Sequence, residues 1–182
     1  TQLGNKGHLT IKQKGLEADD LAAWIVGKKE DFGIDEIWLI SSDKDWDLLI
    51  QDKVSRFSTV TRKEITLDNW EDHYDVEPDK YLTLKCLAGD TGDNVPGIAG
   101  IGPKRAVSLI EQYGDLFDIY NACPIDSKYK FIQTLNENAD RLLLNAELMD
   151  LESYSEQAII EADMNIEDLF SQILEYLNEV RD

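Results

Sequence analysis

The run Leu87-Ala88-Gly89-Asp90-Thr91-Gly92-Asp93-Asn94-Val95-Pro96-Gly97-Ile98-Ala99-Gly100-Ile101-Gly102-Pro103-Lys104-Arg105 decides how the 182-residue chain is read. Glycines at 97, 100 and 102 permit positive φ and close backbone approach. Pro103 suits the first position of a helix, where backbone N–H groups and the positive end of the helix dipole face outward. Lys104 and Arg105 add two positive charges at that point. The result is a compact phosphate site, local in reach and indifferent to net charge. A glycine-rich turn before a helix also occurs in dinucleotide-binding folds, but there it follows a strand inside a βαβ unit. Here residues 78–88 read as a helix with Pro78 in its first turn, so the dinucleotide reading is rejected. A plain helix–turn–helix corner is the alternative.

Moving outward, His8-Leu9-Thr10-Ile11-Lys12 alternates apolar and polar residues and predicts a short strand. A helix is expected over residues 16–29, because Leu21, Trp24 and Ile25 share a face. The continuous apolar run Ile37-Trp38-Leu39-Ile40 predicts a strand buried on both faces of a parallel sheet, with Trp24 and Trp38 in the core. Strand, helix and strand in this order make a βαβ unit. Further strands are expected over 54–59 and 64–67, joined by a turn around Thr61-Arg62-Lys63. Helices are expected over 103–112 and near 115–121, 127–149 and 165–180. The fold class is therefore α/β.

Composition bounds the function. Apolar residues make up 42% and the mean hydropathy is −0.38, a soluble globular composition. No apolar run approaches the roughly 18 residues of a membrane span, and no signal peptide is read, so no membrane partner is expected. Cys86 and Cys123 form no CxxC and no Cys/His cluster. That argues against a disulfide scaffold or structural zinc and fits a reducing, cytoplasmic setting. The net charge of −19 opposes association with a polyanion. Yet residues 114–182 hold 4 basic and 16 acidic groups, so most of the acidity lies outside the motifs.

Three acidic clusters stand inside the motifs: Glu17, Asp19 and Asp20 at a helix start, Asp43 and Asp45 after the apolar strand, and Asp90 and Asp93 in the glycine-rich loop. Converging carboxylates repel one another unless cations neutralise them. Oxygen-only ligands suit hard ions such as Mg²⁺ or Mn²⁺. Two such ions roughly 4 Å apart serve phosphodiester hydrolysis by stabilising the attacking and leaving oxygens together. Taken singly, each cluster also has a plain reading: Glu17 to Asp20 as charge placed for the helix dipole, Ser41 to Asp45 as an Asx turn closing a strand.

In order and spacing, Gly15-Leu16-Glu17-Ala18-Asp19-Asp20, Ser42-Asp43-Lys44-Asp45 and the 87–104 run resemble the 5′-nuclease family. That family comprises flap endonucleases, bacteriophage 5′→3′ exonucleases and the 5′-nuclease domain of bacterial DNA polymerase I; the flavour is that of the bacteriophage flap endonucleases. The resemblance covers residues 8–150. It implies that residues 1–75 are the C-terminal portion of a PIN-like α/β nuclease domain. Residues 76–182 would be a helical helix–three-turn–helix domain, resembling a helix-hairpin-helix module, with acidic C-terminal helices. It implies Mg²⁺- or Mn²⁺-dependent hydrolysis of DNA at 5′ flaps, forks or duplex ends in replication and repair, by a phage protein in the host cytoplasm.

By the same resemblance, Glu17, Asp19 and Asp20 belong mainly to a first metal site. Asp43 and Asp45 bind or bridge the metals, and Asp90 and Asp93 serve a second site. The catalytic set is Glu17, Asp19, Asp43 and Asp45. Backbone carbonyls of Leu87, Ala88, Pro96, Ile98 and Ile101 would hold K⁺, and Gly100, Ile101, Gly102, Pro103, Lys104 and Arg105 would face the DNA backbone. The family pattern carries a further N-terminal portion with two more metal-binding aspartates and an arch. The first metal site is therefore expected to be incomplete here, and an N-terminal segment or chain is an expected partner. A second reading is a non-catalytic DNA-binding module or the C-terminal part of a split nuclease. A third is an interaction domain built on the acidic helices. Arg56, Arg62, Lys63 and Lys85 read either as a DNA path or as solvated surface. Residues after 150 show no recognisable chemistry.

Overall fold

Acidic residues at one end and a glycine at the other delimit the first helix, α1 (Ala18–Gly27). Asp19 and Asp20 sit in its first turn, where the helix dipole favours negative charge. Asp20 Oδ2 also accepts the Glu17 N–H at 3.3 Å. In the computed structural model, which describes residues 7–181, α1 belongs to a unit built from the residues up to Leu39 and those from Leu151. Trp24 of α1 meets Phe32 edge-on with centroids 5.8 Å apart, and Phe32 stacks on Phe170 at 4.5 Å. The helices α7 (Leu151–Glu161) and α8 (Ile166–Arg181) complete this core with Ile159, Leu169 and Ile173. Gln13 Nε2 donates to the Ala162 carbonyl at 2.6 Å, and Arg181 Nη2 donates to the carbonyls of Phe32 and Gly33.

Two expectations fail in this unit. Residues 8–12 are irregular rather than a strand, so no βαβ unit forms there. Leu9 and Ile11 instead pack against the helical core. An alternating pattern buries the same side chains whether or not a ladder is present. The strand β1 (Ile37–Ile40) does form, but it is not covered on both faces. Leu39 is buried, while Trp38 and Ile40 are 41% and 59% exposed. A continuous apolar run does not state how many layers cover it. α7 was not anticipated, because its serines and glutamates leave only a weak apolar stripe.

The second unit is Ile40–Asp150. The strands β2 (Val54–Phe57) and β3 (Glu64–Ile65) pair antiparallel, Arg56 opposite Ile65 and Phe57 opposite Glu64. They belong to a mixed sheet of order β1–β2–β3. A short 3-10 turn at Pro78–Lys80 leads into α2 (Tyr81–Ala88). A two-stranded ribbon follows, β4 (Gly89–Asp90) against β5 (Val95–Pro96), and then α3 (Pro103–Tyr113) and α4 (Leu116–Ala122). The helix expected over 127–149 is two helices, α5 (Lys130–Glu137) and α6 (Asp140–Met149). Asn138 breaks it: its Nδ2 donates to the Thr134 carbonyl at 2.8 Å, competing locally with the helix.

Leu87, Ile98, Ile119, Leu135 and Leu142 form the centre of this core. Buried Asn145 of α6 donates from Nδ2 to the carbonyls of Cys86 and Pro96, both at 2.9 Å, tying α2 and the glycine loop to α6. By contact, the C-terminal helices α7 and α8 group with the residues up to Leu39.

The ribbon depends on two glycines. Gly89 has φ +81°, and a Cβ on Gly97 would fall 2.5 Å from the Gly89 nitrogen and closer still to the Ala88 carbonyl carbon. These are backbone atoms that cannot rotate away. Gly97→Ala is expected to cost about 1–3 kcal/mol as an overpacking change, measured by urea unfolding. A cost below about 0.5 kcal/mol, the range of neutral surface changes, would show that the two backbone passes are not in contact.

Candidate metal centre and nucleic-acid interface

The acidic site is assembled by a turn, a helix and a ribbon. After β1, Ser41 Oγ accepts the Asp43 N–H at 3.1 Å, and Asp43 Oδ1 accepts the Asp45 N–H at 3.0 Å. These two bonds turn the chain into a 3-10 helix, Asp45–Leu49, with Asp45 at its start. The helix is pinned from beneath by Asp47, which is 2% exposed. Asp47 takes a bidentate pair from Arg56 on β2, Nε–Oδ1 2.5 Å and Nη2–Oδ2 2.8 Å. Arg56 Nη1 also donates to the Ser41 carbonyl at 2.9 Å, and the Tyr74 hydroxyl donates to Asp47. On the ribbon, Asp90 Oδ1 accepts the Gly92 N–H at 2.7 Å, which curls the loop and brings Asp93 round.

Carboxylate oxygens of Asp45, Asp90 and Asp93 thereby lie within 4.8 Å of one another. Lys85 enters the group from the last turn of α2, where the helix dipole favours a cation. Its ammonium is hydrogen-bonded to Asp45 and lies 2.9 Å from Asp90. Burial alone would pull the Lys85 ammonium down, but the hydrogen bonds and charges of Asp45 and Asp90 outweigh it and hold it above the ordinary lysine value. The same contact, with backbone donors from Gly92 and Asp93, holds Asp90 below the usual carboxylate range. Asp93 goes the other way. A hydrogen bond shared with Asp45, reinforced by that residue's charge, pushes it up to about 6. Three carboxylates against one ammonium leave an oxygen-only donor set with excess negative charge, which fits a hard divalent cation.

The sequence-selected residues fall into three groups. Asp45, Asp90 and Asp93 converge. Asp43 is exposed and outside that trio, and its side chain shapes the turn that presents Asp45. Glu17, Asp19 and Asp20 stand together at the start of α1 on the other unit. Two further residues prove central to the site. Arg56 is 3% exposed and anchors the turn, neither of the roles open to it from sequence; Lys85, 7% exposed, lies in the acidic cluster. For Lys85 there was a signal: it is the one charge in the otherwise apolar or uncharged helix Tyr81-Leu82-Thr83-Leu84-Lys85-Cys86-Leu87-Ala88. Cys86 beside it is buried, which pushes its thiol up to about 12.

Around the glycine loop, Leu87, Ile98 and Ile101 are buried core residues. The Ile98 N–H donates to the Leu87 carbonyl and the Ile101 N–H to the Ile98 carbonyl, both at 2.9 Å. Asn145 occupies one lone pair of the Pro96 carbonyl. Gly100, Gly102, Pro103, Lys104 and Arg105 are exposed. Arg105 is held in place, its Nη1 donating to the Gly100 carbonyl at 2.5 Å and its guanidinium lying 4.5 Å above the Phe131 ring.

The chain is similar to several known proteins. Residues 76–172 match the family model described as 5′-3′ exonuclease, C-terminal SAM fold. The flap endonuclease of Escherichia phage T5 is 42% identical over 164 residues, 90% of this chain and 56% of that protein. DNA polymerase I of Rhizobium leguminosarum is 36% identical over 141 residues, 78% of this chain and 14% of the polymerase. The phage T5 D15 protein co-crystallised with metal ions superposes with a TM-score of 0.85 at 37% identity, covering 100% of this chain and 66% of that one. A variant of the T5 D15 flap endonuclease, solved as a pseudo-enzyme-product complex with DNA and metal ions, gives 0.88 at 39% identity, covering 97% and 65%. The chain belongs to the flap endonuclease and 5′–3′ exonuclease family. Its fold is the α/β arrangement of that family, a mixed sheet followed by a helical region resembling a helix-hairpin-helix module. The chain spans about half the length of the T5 enzyme. Among the described residues no helix is long and apolar enough to cross a membrane.

Proposed function

We propose that the chain is the metal-binding and duplex-seating part of a 5′ nuclease that hydrolyses DNA phosphodiester bonds at 5′ flaps, forks or duplex ends. The observation that carries this reading is the convergence of Asp45, Asp90 and Asp93 around Lys85 in a member of this family. The T5 relative solved with DNA and metal ions supports it.

In this reading Asp45, Asp90 and Asp93 hold Mg²⁺ or Mn²⁺ and Asp43 fixes the turn that presents Asp45. Glu17, Asp19 and Asp20, at the start of α1, are read as ligands of a first metal site. Such cations, when bound, lower the pKa of the water they hold and offset charge developing on the phosphodiester. Lys85 supplies a positive charge to the same place and keeps Asp90 ionised. Lys104 and Arg105 bind duplex phosphates away from the cut, using binding energy for positioning. The carbonyls of Leu87, Ala88, Pro96, Ile98 and Ile101 would hold K⁺ in the loop; each carbonyl has two lone pairs, so those already accepting a hydrogen bond keep one. Residues 1–75 are read as PIN-like and residues from 76 as the helical DNA-seating module.

A 5′-flap duplex should be cleaved in Mg²⁺ and spared when the metal is chelated. With Asp43 and Asp45 both changed to alanine, cleavage should fall by more than about 100-fold, since even outer-shell partners of metal ligands cost roughly 10–100-fold. Undiminished cleavage by that double variant would overturn the assignment. Salt-sensitive duplex binding without cleavage in either metal would favour the DNA-binding module instead.

A further inference from the structure

Residues 114–182 contain only four basic side chains among sixteen acidic ones, and one of the four, Arg141, borders the glycine loop. Arg141 sits in the first turn of α6 and lines a cleft of about 270 Å³ with Thr134, Asn138 and the backbone of Pro96, Gly97, Ile98 and Ala99. Its guanidinium has no carboxylate or hydrogen-bond partner among the described residues. The neighbouring carboxylate is engaged elsewhere, Asp140 accepting from the Tyr120 hydroxyl at 3.2 Å. A half-buried guanidinium left without a counter-ion in so acidic a segment is poised for an anion from outside.

The position makes sense of it. Arg105 is clamped to the loop through Gly100 and Phe131, and Arg141 lines the cleft beside Pro96 to Ala99. The helix α5 offers a residue to each, Phe131 under Arg105 and Thr134 on the wall of the Arg141 cleft. We propose that Arg141 and this cleft form a second phosphate site for the DNA backbone, beside the one that Lys104 and Arg105 offer. This inference rests on the DNA-binding reading above. It adds a contact that the glycine-loop pattern did not contain.

The test is a charge series at position 141 in the full chain, titrated with a fluorescent 5′-flap duplex in Ca²⁺ at several salt concentrations. Arg141→Lys should bind nearly as wild type. Arg141→Gln should bind about three- to tenfold more weakly at moderate salt and lower the salt slope by about 1, the signature of one lost phosphate contact. Arg141→Glu should be weaker again. The melting temperature of each variant without DNA separates this order from misfolding, because a packing role would follow side-chain shape rather than charge. If Arg141→Gln and Arg141→Glu keep the wild-type affinity and slope while Lys104→Ala with Arg105→Ala loses them, the second site is refuted and the DNA reading stands. If the wild-type chain shows no salt-dependent duplex binding, both fall.

Discussion

Replacing Arg56 with alanine is expected to destabilise the chain by about 3–5 kcal/mol, because it breaks a buried ion pair and strands one partner. Arg56 and Asp47 are 3% and 2% exposed, and the guanidinium makes two bonds to the carboxylate and one to the Ser41 carbonyl. Without it Asp47 stays buried with the Tyr74 hydroxyl as its remaining side-chain donor. Burial, then the bond to Asp47, holds the Tyr74 phenol well above its ordinary value, so it stays neutral and supplies no charge to replace the guanidinium. The consequence reaches function because Asp47 and Asp45 share one 3-10 helix. Arg56→Ala should therefore also lower metal affinity. Equilibrium unfolding measures the stability loss. The double change Asp47→Leu with Arg56→Met should cost clearly less than the sum of the two single changes, since replacing both partners leaves no orphan charge. A loss below about 1 kcal/mol for Arg56→Ala, the range of an exposed pair, would show that this pair is not an anchor.

Lys85→Met is expected to cost about 2–4 kcal/mol at neutral pH without divalent cation, from two hydrogen bonds to charged groups. The pH dependence follows from the directions of the shifts. Lys85 is raised, so its contribution persists from low pH and is lost only above the ordinary 10.5. Asp90 is lowered, so its contribution is present above 3.8 and is lost as pH falls through its folded value. The pair therefore acts across the whole interval between. Asp93 opposes them: raised to about 6, it contributes stability below 3.8 that is lost as pH rises through 6. Metal-free protein should thus lose some stability between pH 4 and 7, and Lys85→Met should lose more, because nothing then offsets Asp45 and Asp90. On the proposed reading, Mg²⁺ is expected to bind the folded state and to restore stability by mass action, with the larger gain in the variant. Thermal melting of both proteins at pH 5 and 7.5, with and without Mg²⁺, reads the Asp93 contribution and the Mg²⁺ gain. Equal losses at both pH values and equal Mg²⁺ shifts in the two proteins would refute the charge-balancing role.

Much of the site was legible because its parts are local. Gly89 to Arg105 carries its own turn chemistry, and Pro103 announces the helix behind it, so loop and helix were read where they stand. Asp90 and Asp93 could be paired from spacing, being three residues apart in one loop. Asp45 could be assigned to the end of a strand but not to a neighbour, since it meets Lys85 across 40 residues of chain. The misread strand at residues 8–12 has the same origin. Period-2 alternation reports which side chains are buried, and Leu9 and Ile11 are drawn into the core, but a ladder needs a partner that the pattern does not name.

By itself the amino-acid sequence determined the α/β class, the start of the helix at Pro103 and the residue types of an oxygen-only acidic cluster. These follow from backbone propensity and side-chain chemistry, which act within a few residues. Only the tertiary structure decided that Lys85 balances the acidic cluster, that Arg56 is buried under it, and that Arg141 has no partner beside the loop among the described residues. Whether a cation is solvated, neutralised or free depends on which carboxylates reach it through space, and charge pairing is a property of distance and burial rather than of order along the chain.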